Sequence, residues 1–285
     1  MPKRWPSLAF WRYARRTSQS VGLIALLALV AYTTRDVRGI LSARDLMSLD
    51  PLTGLASTIA SQRWLAHFIP AIVLLLATLA LGRFWCGWLC PLGTLIDWIS
   101  PRSTSRNQVP PGWRRVKYGL LSLIVFAALW GNLTLLIFDP LTIFVRSVAT
   151  LLLPALQWLV MALESVLYRV PFLGDALDVV DTALQGPILS YEQPHYQGVL
   201  LTAGLLVGIL ALNWLSSRFW CRYLCPLGGL LSLVSRFSWL KRHVAPSCIR
   251  CGRCASDCRM GTIDAAKGFA SDSGECILCL DCAVD

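Results

Sequence analysis

Seven cysteines near the end of this 285-residue chain have the spacing of iron–sulfur ligands. They form a C-x2-C-x2-C-x3-C run and then a C-x2-C-x2-C run: Cys248, Cys251, Cys254 and Cys258, followed by Cys276, Cys279 and Cys282. Two such runs are typical of proteins with two [4Fe–4S] clusters, in which the fourth cysteine of a run binds the other cluster. Structural zinc is the alternative, but zinc sites more often show two separated cysteine pairs. The spacing therefore favours two iron–sulfur clusters.

The crossover of the fourth cysteine assigns a separate ligand set to each cluster. One set is Cys258 with Cys276, Cys279 and Cys282, and the other is Cys248, Cys251 and Cys254. The second set has three ligands, and its fourth cysteine is expected at position 286, one residue beyond this sequence. We therefore expect the chain to be a fragment of a longer protein. Otherwise this cluster would be labile or completed by another subunit.

Four more cysteines lie in two copies of one motif, RFWCGWLCPLG at 83–93 and RFWCRYLCPLG at 218–228. Proline restricts the preceding residue to extended conformations, so each C-x3-C-P motif (86–91 and 221–226) is predicted to lie where a helix breaks. Repeat symmetry would bring the four thiols together: Cys86, Cys90, Cys221 and Cys225. We predict that they bind a further redox cofactor. The alternative is that these thiols are buried and pack as small hydrophobic groups.

The elements that position these motifs are predicted to be membrane helices. The chain is 55% hydrophobic and 15% charged, which indicates a membrane protein. Four apolar runs have about the length that crosses a bilayer, at about 18–34, 65–82, 118–138 and 198–216. A fifth run at 148–163 is shorter and contains Pro154 and Gln157. It is predicted to be interfacial or re-entrant, and a fifth spanning helix is the alternative.

The sequence D-P-L-T also occurs twice, at 50–53 and 139–142, so that each half reads helix, D-P-L-T, helix, cysteine motif. Repeats of this kind are common in membrane proteins. We predict a first membrane repeat at 1–100, a second at 101–235 with an outer insertion at about 143–190, and a ferredoxin-like module at 236–285. The expected fold class is an all-α polytopic membrane protein of about four transmembrane helices in two parallel repeats. An apparently truncated α+β module for two [4Fe–4S] clusters follows these repeats.

Charge predicts the orientation of the chain. The net charge is +10, and basic residues precede the first apolar run and separate the second from the third, as in cytoplasmic loops. We therefore expect a multi-pass protein of the cytoplasmic (inner) membrane with its N-terminus and iron–sulfur module on the cytoplasmic side, and no nucleic-acid partner. A cleaved signal peptide is disfavoured because no small-residue cleavage site follows Tyr32.

Three features near the motifs are predicted to contact the membrane surface. Arg83 and Arg218 are expected to contact lipid headgroups, and the segment 232–243 is expected to form an amphipathic helix on the surface. The neighbouring aromatic residues are expected to form an interfacial belt: Phe84, Trp85, Trp88, Phe219, Trp220 and Tyr223.

The chain resembles the NapH-type membrane iron–sulfur proteins and the membrane half of the NosR type. The resemblance covers about 21–285 and rests on the two C-x3-C-P motifs and the cysteine-rich tail: Cys86, Cys90, Pro91, Cys221, Cys225, Pro226 and the seven tail cysteines. It implies electron transfer between the quinone pool and a partner redox protein. The chain would be an electron-transfer subunit of a quinol dehydrogenase or oxidoreductase system rather than a stand-alone enzyme. The large extracytoplasmic flavin domain of the NosR type is not expected within these 285 residues.

Two other functions are alternatives to electron transfer: a redox-sensing or metalloenzyme-maturation membrane protein, and a structural anchor for a separate reductase. A quinol oxidase also needs a proton acceptor, and the candidates are His67, His195, Asp50 and Asp139. Each of the two aspartates precedes a proline, so turn or helix-cap chemistry explains them equally well.

Overall fold

The structure is a computed structural model that describes residues 8–33, 47–100, 109–167 and 198–282. The predicted candidate His195 and the part of the outer insertion after residue 167 lie outside these residues. The described chain is mostly helical. Its first half contains α1 (Leu8–Thr33), α2 (Pro51–Ser61), α3 (Ile69–Leu81), α4 (Phe84–Trp88) and α5 (Pro91–Ile99).

The second half repeats this order of elements. It contains α6 (Val116–Leu129), α7 (Pro140–Ser147), a π-helical turn (Val148–Leu152), α8 (Leu153–Leu167), α9 (Val199–Leu212), a second π-helical turn (Trp220–Leu224) and α10 (Pro226–Ser235). In the module, α11 (Arg253–Ser256) precedes two short strands, β1 (Ile263–Asp264) and β2 (Ala270–Ser271). The strands pair in an antiparallel register, with Ile263 opposite Ser271.

The duplicated aspartates are helix caps. Asp50 accepts hydrogen bonds from the backbone N–H groups of Leu52 and Thr53 at the start of α2, and Asp139 makes the matching pair of bonds at the start of α7. Proline at the first helical position has no N–H to satisfy, which suits it to this place. The two carboxyl groups also interact with each other, so the caps meet where the repeats join. The helix-cap interpretation of D-P-L-T is therefore confirmed.

The longest apolar helix is not one of the four predicted spans. By length and composition, the helical stretch Pro140–Val166 is the one element in the described residues that is able to cross a membrane. Within it lies 148–163, which we expected to be interfacial or re-entrant. The π-helical turn lies directly before the residue pair Leu153 and Pro154. Such a turn accommodates a proline that cannot donate a backbone hydrogen bond, so the helix continues through it.

The helices of the two repeats pack against each other. Helix α10 packs on α6 of its own repeat and on α3 and α2 of the first repeat, while α5 packs on α1 and on α7 of the second. One buried core contains Leu92 and Leu227, which lie in the first turns of α5 and α10. The same core contains Met260, Ile277 and Cys279 of the module. The module is therefore part of the same packed core as the helical repeats.

The predicted amphipathic helix at 232–243 is wrong beyond Ser235, where α10 ends. The chain continues without helical structure, and the backbone N–H groups of Trp239 and Leu240 donate to the carbonyl groups of Leu79 and Ala80. These carbonyls lie at the C-terminal end of α3, where a helix leaves acceptors without partners. The segment therefore satisfies two of these acceptors.

Candidate iron–sulfur site

All seven tail cysteines line a single cavity of 1430 Å³. Its other walls come from the module and from the first repeat, including Trp11, Phe84 and Trp88. The cavity is therefore built jointly by the cysteine-rich loops and by the elements around the first cysteine motif.

The two cysteine loops share an unusual backbone geometry. Leu278 and Leu280 flank Cys279 with φ of 52° and 62°, and Arg250 and Gly252 flank Cys251 with φ of 55° and 77°. Left-handed conformations are rare for residues with a side chain as large as leucine, and they concentrate at functional sites. Successive N–H groups in such turns form concave nests that are found at many iron–sulfur sites. Both loops therefore have the backbone shape of a cluster ligand loop.

The structure brings together the four cysteines that the crossover assigns to one cluster. Cys258 interacts electrostatically with Cys276, Cys279 and Cys282. Burial raises the pKa of the Cys279 thiol to about 12 and also raises the pKa of Cys276 and Cys282. These thiols therefore favour the neutral form, and a metal centre that binds deprotonated cysteine would stabilise their thiolates. We call this set the proximal cysteines.

The remaining tail cysteines, Cys248, Cys251 and Cys254, are the distal cysteines. Cys248 and Cys251 are exposed and Cys254 is half-buried. Within the described residues, no group of three or more His, Cys, Asp or Glu side chains is arranged to hold a single metal ion. Tetrahedral zinc needs its thiolates gathered about 2.3 Å from one atom, whereas these thiols are spread around a large cavity. The residues therefore fit clusters better than zinc.

The two C-x3-C-P motifs break their helices at the second cysteine. Cys90 and Cys225 have extended backbones, and the prolines after them start α5 and α10. All four motif cysteines are buried, and electrostatic interactions connect them across the two repeats: Cys86, Cys90, Cys221 and Cys225. Burial raises the pKa of Cys221 to about 11. The structure thus gathers these thiols into one buried group, while a cofactor bound to them remains a prediction.

The expectation that Arg83 and Arg218 contact lipid headgroups is wrong, because both side chains are completely buried. Arg218 pairs with Asp97 at 2.5 Å, and Arg83 pairs with Glu275 at 2.8 Å. The end of each apolar helix is covered by the other repeat and by the module, so these arginines meet carboxylates instead of lipid.

The predicted aromatic belt is also largely wrong. Four of its six members are buried: Trp85, Phe219, Trp220 and Tyr223. Of the others, Phe84 lines the cluster cavity, and Trp88 donates a hydrogen bond from Nε1 to the Leu278 carbonyl at 3.1 Å. These aromatic side chains pack the motifs inside the protein because the module covers the surface where a lipid interface was expected.

Asp97 is a buried ion-pair residue that the sequence interpretation missed. Its carboxylate pairs with Arg15 at 2.6 Å, with Arg218 and with Arg259 at 3.1 Å. Burial alone would raise the pKa of Asp97, but Arg218, Arg259 and Arg15 together hold it below its usual value. A lone acid in the apolar stretch PLGTLIDWI was the available signal, since charged residues are rarely buried without a partner. Asp97 ties both repeats to the module.

The first cysteine motif is in direct backbone contact with the proximal cysteine loop. A Cβ atom on Gly87 would lie 2.3 Å from the Ile277 carbonyl oxygen, so only glycine allows this approach. Arg15 and Gln19 both donate hydrogen bonds to the Gly87 carbonyl, and Arg15 also donates to the Cys279 carbonyl at 3.3 Å. The loop between Cys276 and Cys279 is therefore fixed against the turn between Cys86 and Cys90.

The structure brings together two of the candidates for a quinol proton acceptor, Asp50 and Asp139, but not at the cluster cavity. His67 is exposed in a short 3₁₀ helix (Ala66–Phe68), and its ring contacts Phe68. Asp50 and Asp139 are buried and occupied as helix caps. None of the three described candidates lines the cluster cavity.

A family model described as "4Fe-4S binding domain" matches residues 63–120 and 199–245, which contain the two cysteine motifs. The chain is 31% identical over 228 residues to "Putative electron transport protein YccM" of Escherichia coli K12, covering 76% of this chain and 52% of that protein. It is 30% identical over 241 residues to "Protein NirI" of Paracoccus denitrificans, covering 81% and 30%. The "Regulatory protein NosR" of Pseudomonas aeruginosa is 26% identical over 205 residues, covering 70% and 23%.

The chain thus spans about half or less of the length of these three relatives. No solved structure matches it. Both matched segments of the family model coincide with the repeated motifs, and the relatives include the NosR type that those motifs predicted. The chain therefore shares the 4Fe-4S binding domain, and its resemblance to the NosR type, which the motifs predicted, is confirmed.

Proposed function

We propose that this protein carries electrons between the quinone pool of the cytoplasmic membrane and a partner redox protein. The observation that supports this most directly is the position of Cys279, a proximal cysteine that lies in the same buried core as the paired cysteine motifs, with Cys258 packed against that core. The proximal and distal cysteines would each hold a [4Fe–4S] cluster, and such clusters take up and release single electrons. A chain with these residues suits electron transfer between a membrane donor and a soluble acceptor.

The outer surface of the helices supports a place in the membrane. Large apolar side chains are exposed on four of the helices: Val21 and Ile24 on α1, Val73 and Leu76 on α3, Leu123 and Phe126 on α6, and Leu200 and Val207 on α9. Soluble proteins rarely expose apolar patches of this extent, whereas lipid would cover them. We propose a multi-pass arrangement with the N-terminus and the module on the cytoplasmic side, as the distribution of basic residues predicts.

The arrangement of the thiols suggests an order for the redox centres. The buried motif cysteines would hold a further cofactor on the membrane side, and the proximal cysteines lie next to them through the contact between Gly87 and Ile277. The distal cysteines include the two most exposed thiols and would face the soluble partner. Exposed Ile249 and Arg253 lie among them and offer an apolar and basic surface.

Anaerobic reduction of the purified full chain tests this proposal. The protein would be mixed with a reduced quinol analogue, and the clusters would be followed by electron paramagnetic resonance, with dithionite as a reference reductant. Reduction by both reagents supports the proposal. Reduction by dithionite alone would remove the quinone pool as partner, and the absence of any cluster signal would overturn electron transfer by this chain.

A further inference from the structure

The two repeats neutralise their buried motif arginines in different ways. When the cysteine motifs are aligned, Arg83 matches Arg218, and Asp97 in α5 matches Ser232 in α10. Arg218 of the second repeat pairs with Asp97, which belongs to the first repeat. By the same symmetry, Arg83 should pair with the residue at position 232. That residue is Ser232, whose side chain carries no negative charge. The second repeat therefore lacks the carboxylate that the symmetry requires.

The module supplies this carboxylate from Glu275. Its side chain accepts a hydrogen bond from Arg83 at 2.8 Å, and from Lys117 at 2.5 Å to one oxygen and 2.6 Å to the other. Ser232 Oγ donates to the same carboxylate at 3.2 Å, and the hydroxyl group of Tyr118 also donates at 3.2 Å. Glu275 thus lies beside Ser232, at the place that Asp97 takes in the first repeat.

Arg83 and Lys117 depend on this one carboxylate. Both side chains are completely buried, and Glu275 is the only acidic residue that pairs with either of them in the described part of the chain. Removing one partner of a buried ion pair is strongly destabilising because it leaves an uncompensated charge. Without the module in place, the repeats would therefore hold these two neighbouring cations with no acidic partner.

Glu275 also connects the two cysteine sites along the chain. It immediately precedes Cys276, which is one of the proximal cysteines, and Arg83 lies three residues before Cys86. The next residue of the loop, Ile277, contacts Gly87 inside the first motif. The loop that places the Glu275 carboxylate beside Arg83 therefore also contacts the first cysteine motif.

We propose that Arg83, Lys117, Tyr118 and Ser232 form a carboxylate-binding site whose ligand is the Glu275 side chain. Binding at this site closes the first cysteine motif over Cys86 and Cys90 once the proximal loop has folded. The membrane repeats therefore complete their buried thiol group only with the module docked. This inference does not depend on the identity of the electron donor or acceptor.

The repeat symmetry provides a rescue experiment. Glu275→Ala should expose the motif thiols, and adding Ser232→Asp should restore the missing carboxylate from within α10. The readout is the rate at which maleimide labels Cys86 and Cys90 in the purified full chain, with the labelled peptides identified by mass spectrometry. Asp264→Asn, which changes an exposed acid of the module outside this contact, is the control.

We expect Glu275→Ala to raise the labelling rate of the motif thiols by roughly tenfold or more, and the double variant to return towards the rate of the unchanged protein. If Glu275→Ala does not fold, recovery of folded protein in the double variant supports the proposal equally. Labelling of Glu275→Ala at the rate of the Asp264→Asn control would overturn the proposal. So would a double variant that is no better protected, or no better folded, than Glu275→Ala alone.

Discussion

Replacing Gly87 by alanine should displace the proximal cysteine loop from the first cysteine motif. The added Cβ would lie 2.3 Å from the Ile277 carbonyl oxygen, and ordinary van der Waals contact begins at 3.4 Å, so the two backbones must separate by about 1 Å. No side-chain rotation relieves this clash, because the backbone fixes the position of the Cβ atom and the contacted oxygen is itself a backbone atom. Ile277 lies between Cys276 and Cys279, so the shift moves two of the predicted cluster ligands.

The energetic cost of the added methyl group follows from the packing of this contact. Overfilling a well-packed core costs about 1–3 kcal/mol, and here the hydrogen bonds from Arg15 and Gln19 to the Gly87 carbonyl resist any movement of the motif. The second motif carries Arg222 at the position that matches Gly87, so the motif itself does not require glycine. The need for glycine comes from the docked loop.

The assay compares Gly87→Ala with Gly119→Ala in purified protein. Gly119 lies inside α6 and has no atom within 4 Å of an added Cβ, so alanine there should stabilise the helix by about 0.5–1 kcal/mol. Gly87→Ala should lower the melting temperature and change the paramagnetic resonance spectrum of the proximal cluster. A Gly87→Ala protein with the melting temperature, iron content and spectrum of the Gly119→Ala control would refute the reasoning.

Further substitutions test the ligand sets, the buried ion pairs and the helix caps. Cys258→Ser should remove the proximal cluster signal and Cys254→Ser the distal one, each measured by iron content and paramagnetic resonance. Asp97→Asn should destabilise the protein by about 3–5 kcal/mol in thermal or denaturant unfolding, because the buried Arg15 and Arg218 and the half-buried Arg259 share this carboxylate. Because the pKa of Asp97 is lowered in the folded protein, its stabilising effect is present above its unfolded pKa of about 4 and is lost as the pH falls below that value. The melting temperature should therefore fall more steeply on acidification in the unchanged protein than in Asp97→Asn. Asp50→Ala and Asp139→Ala should each cost about 0.5–2 kcal/mol of stability through loss of a helix cap.

Local chemistry was predictable wherever a residue acts on its neighbours in the chain. The break at Cys90–Pro91 follows from the restriction that proline places on the residue before it, and the cap formed by Asp50 follows from the residues after it. The near-identical repeat of the cysteine motifs was likewise sufficient to predict the 4Fe-4S binding domain and the resemblance to the NosR type. These features depend on a few consecutive residues.

The errors concern residues whose partners are distant in the sequence. An arginine and aromatic residues at the end of an apolar run are typical of a membrane interface, and Arg83 and Trp85 match that pattern. Whether lipid or protein covers that end depends on where the module packs. The packing position of the module cannot be predicted from the pattern of apolar and polar residues.

The sequence by itself predicted which cysteines would bind iron, contained two copies of the cysteine motif, and predicted where the helices after the motifs begin. Only the tertiary structure decided that the module packs on the first motif through Gly87, and that Glu275 completes a charge network which Ser232 leaves open. The physical reason is that a buried charge takes its counterion from whichever residue folding brings within reach. Arg83 and Glu275 are 192 positions apart, and only the folded chain places them together.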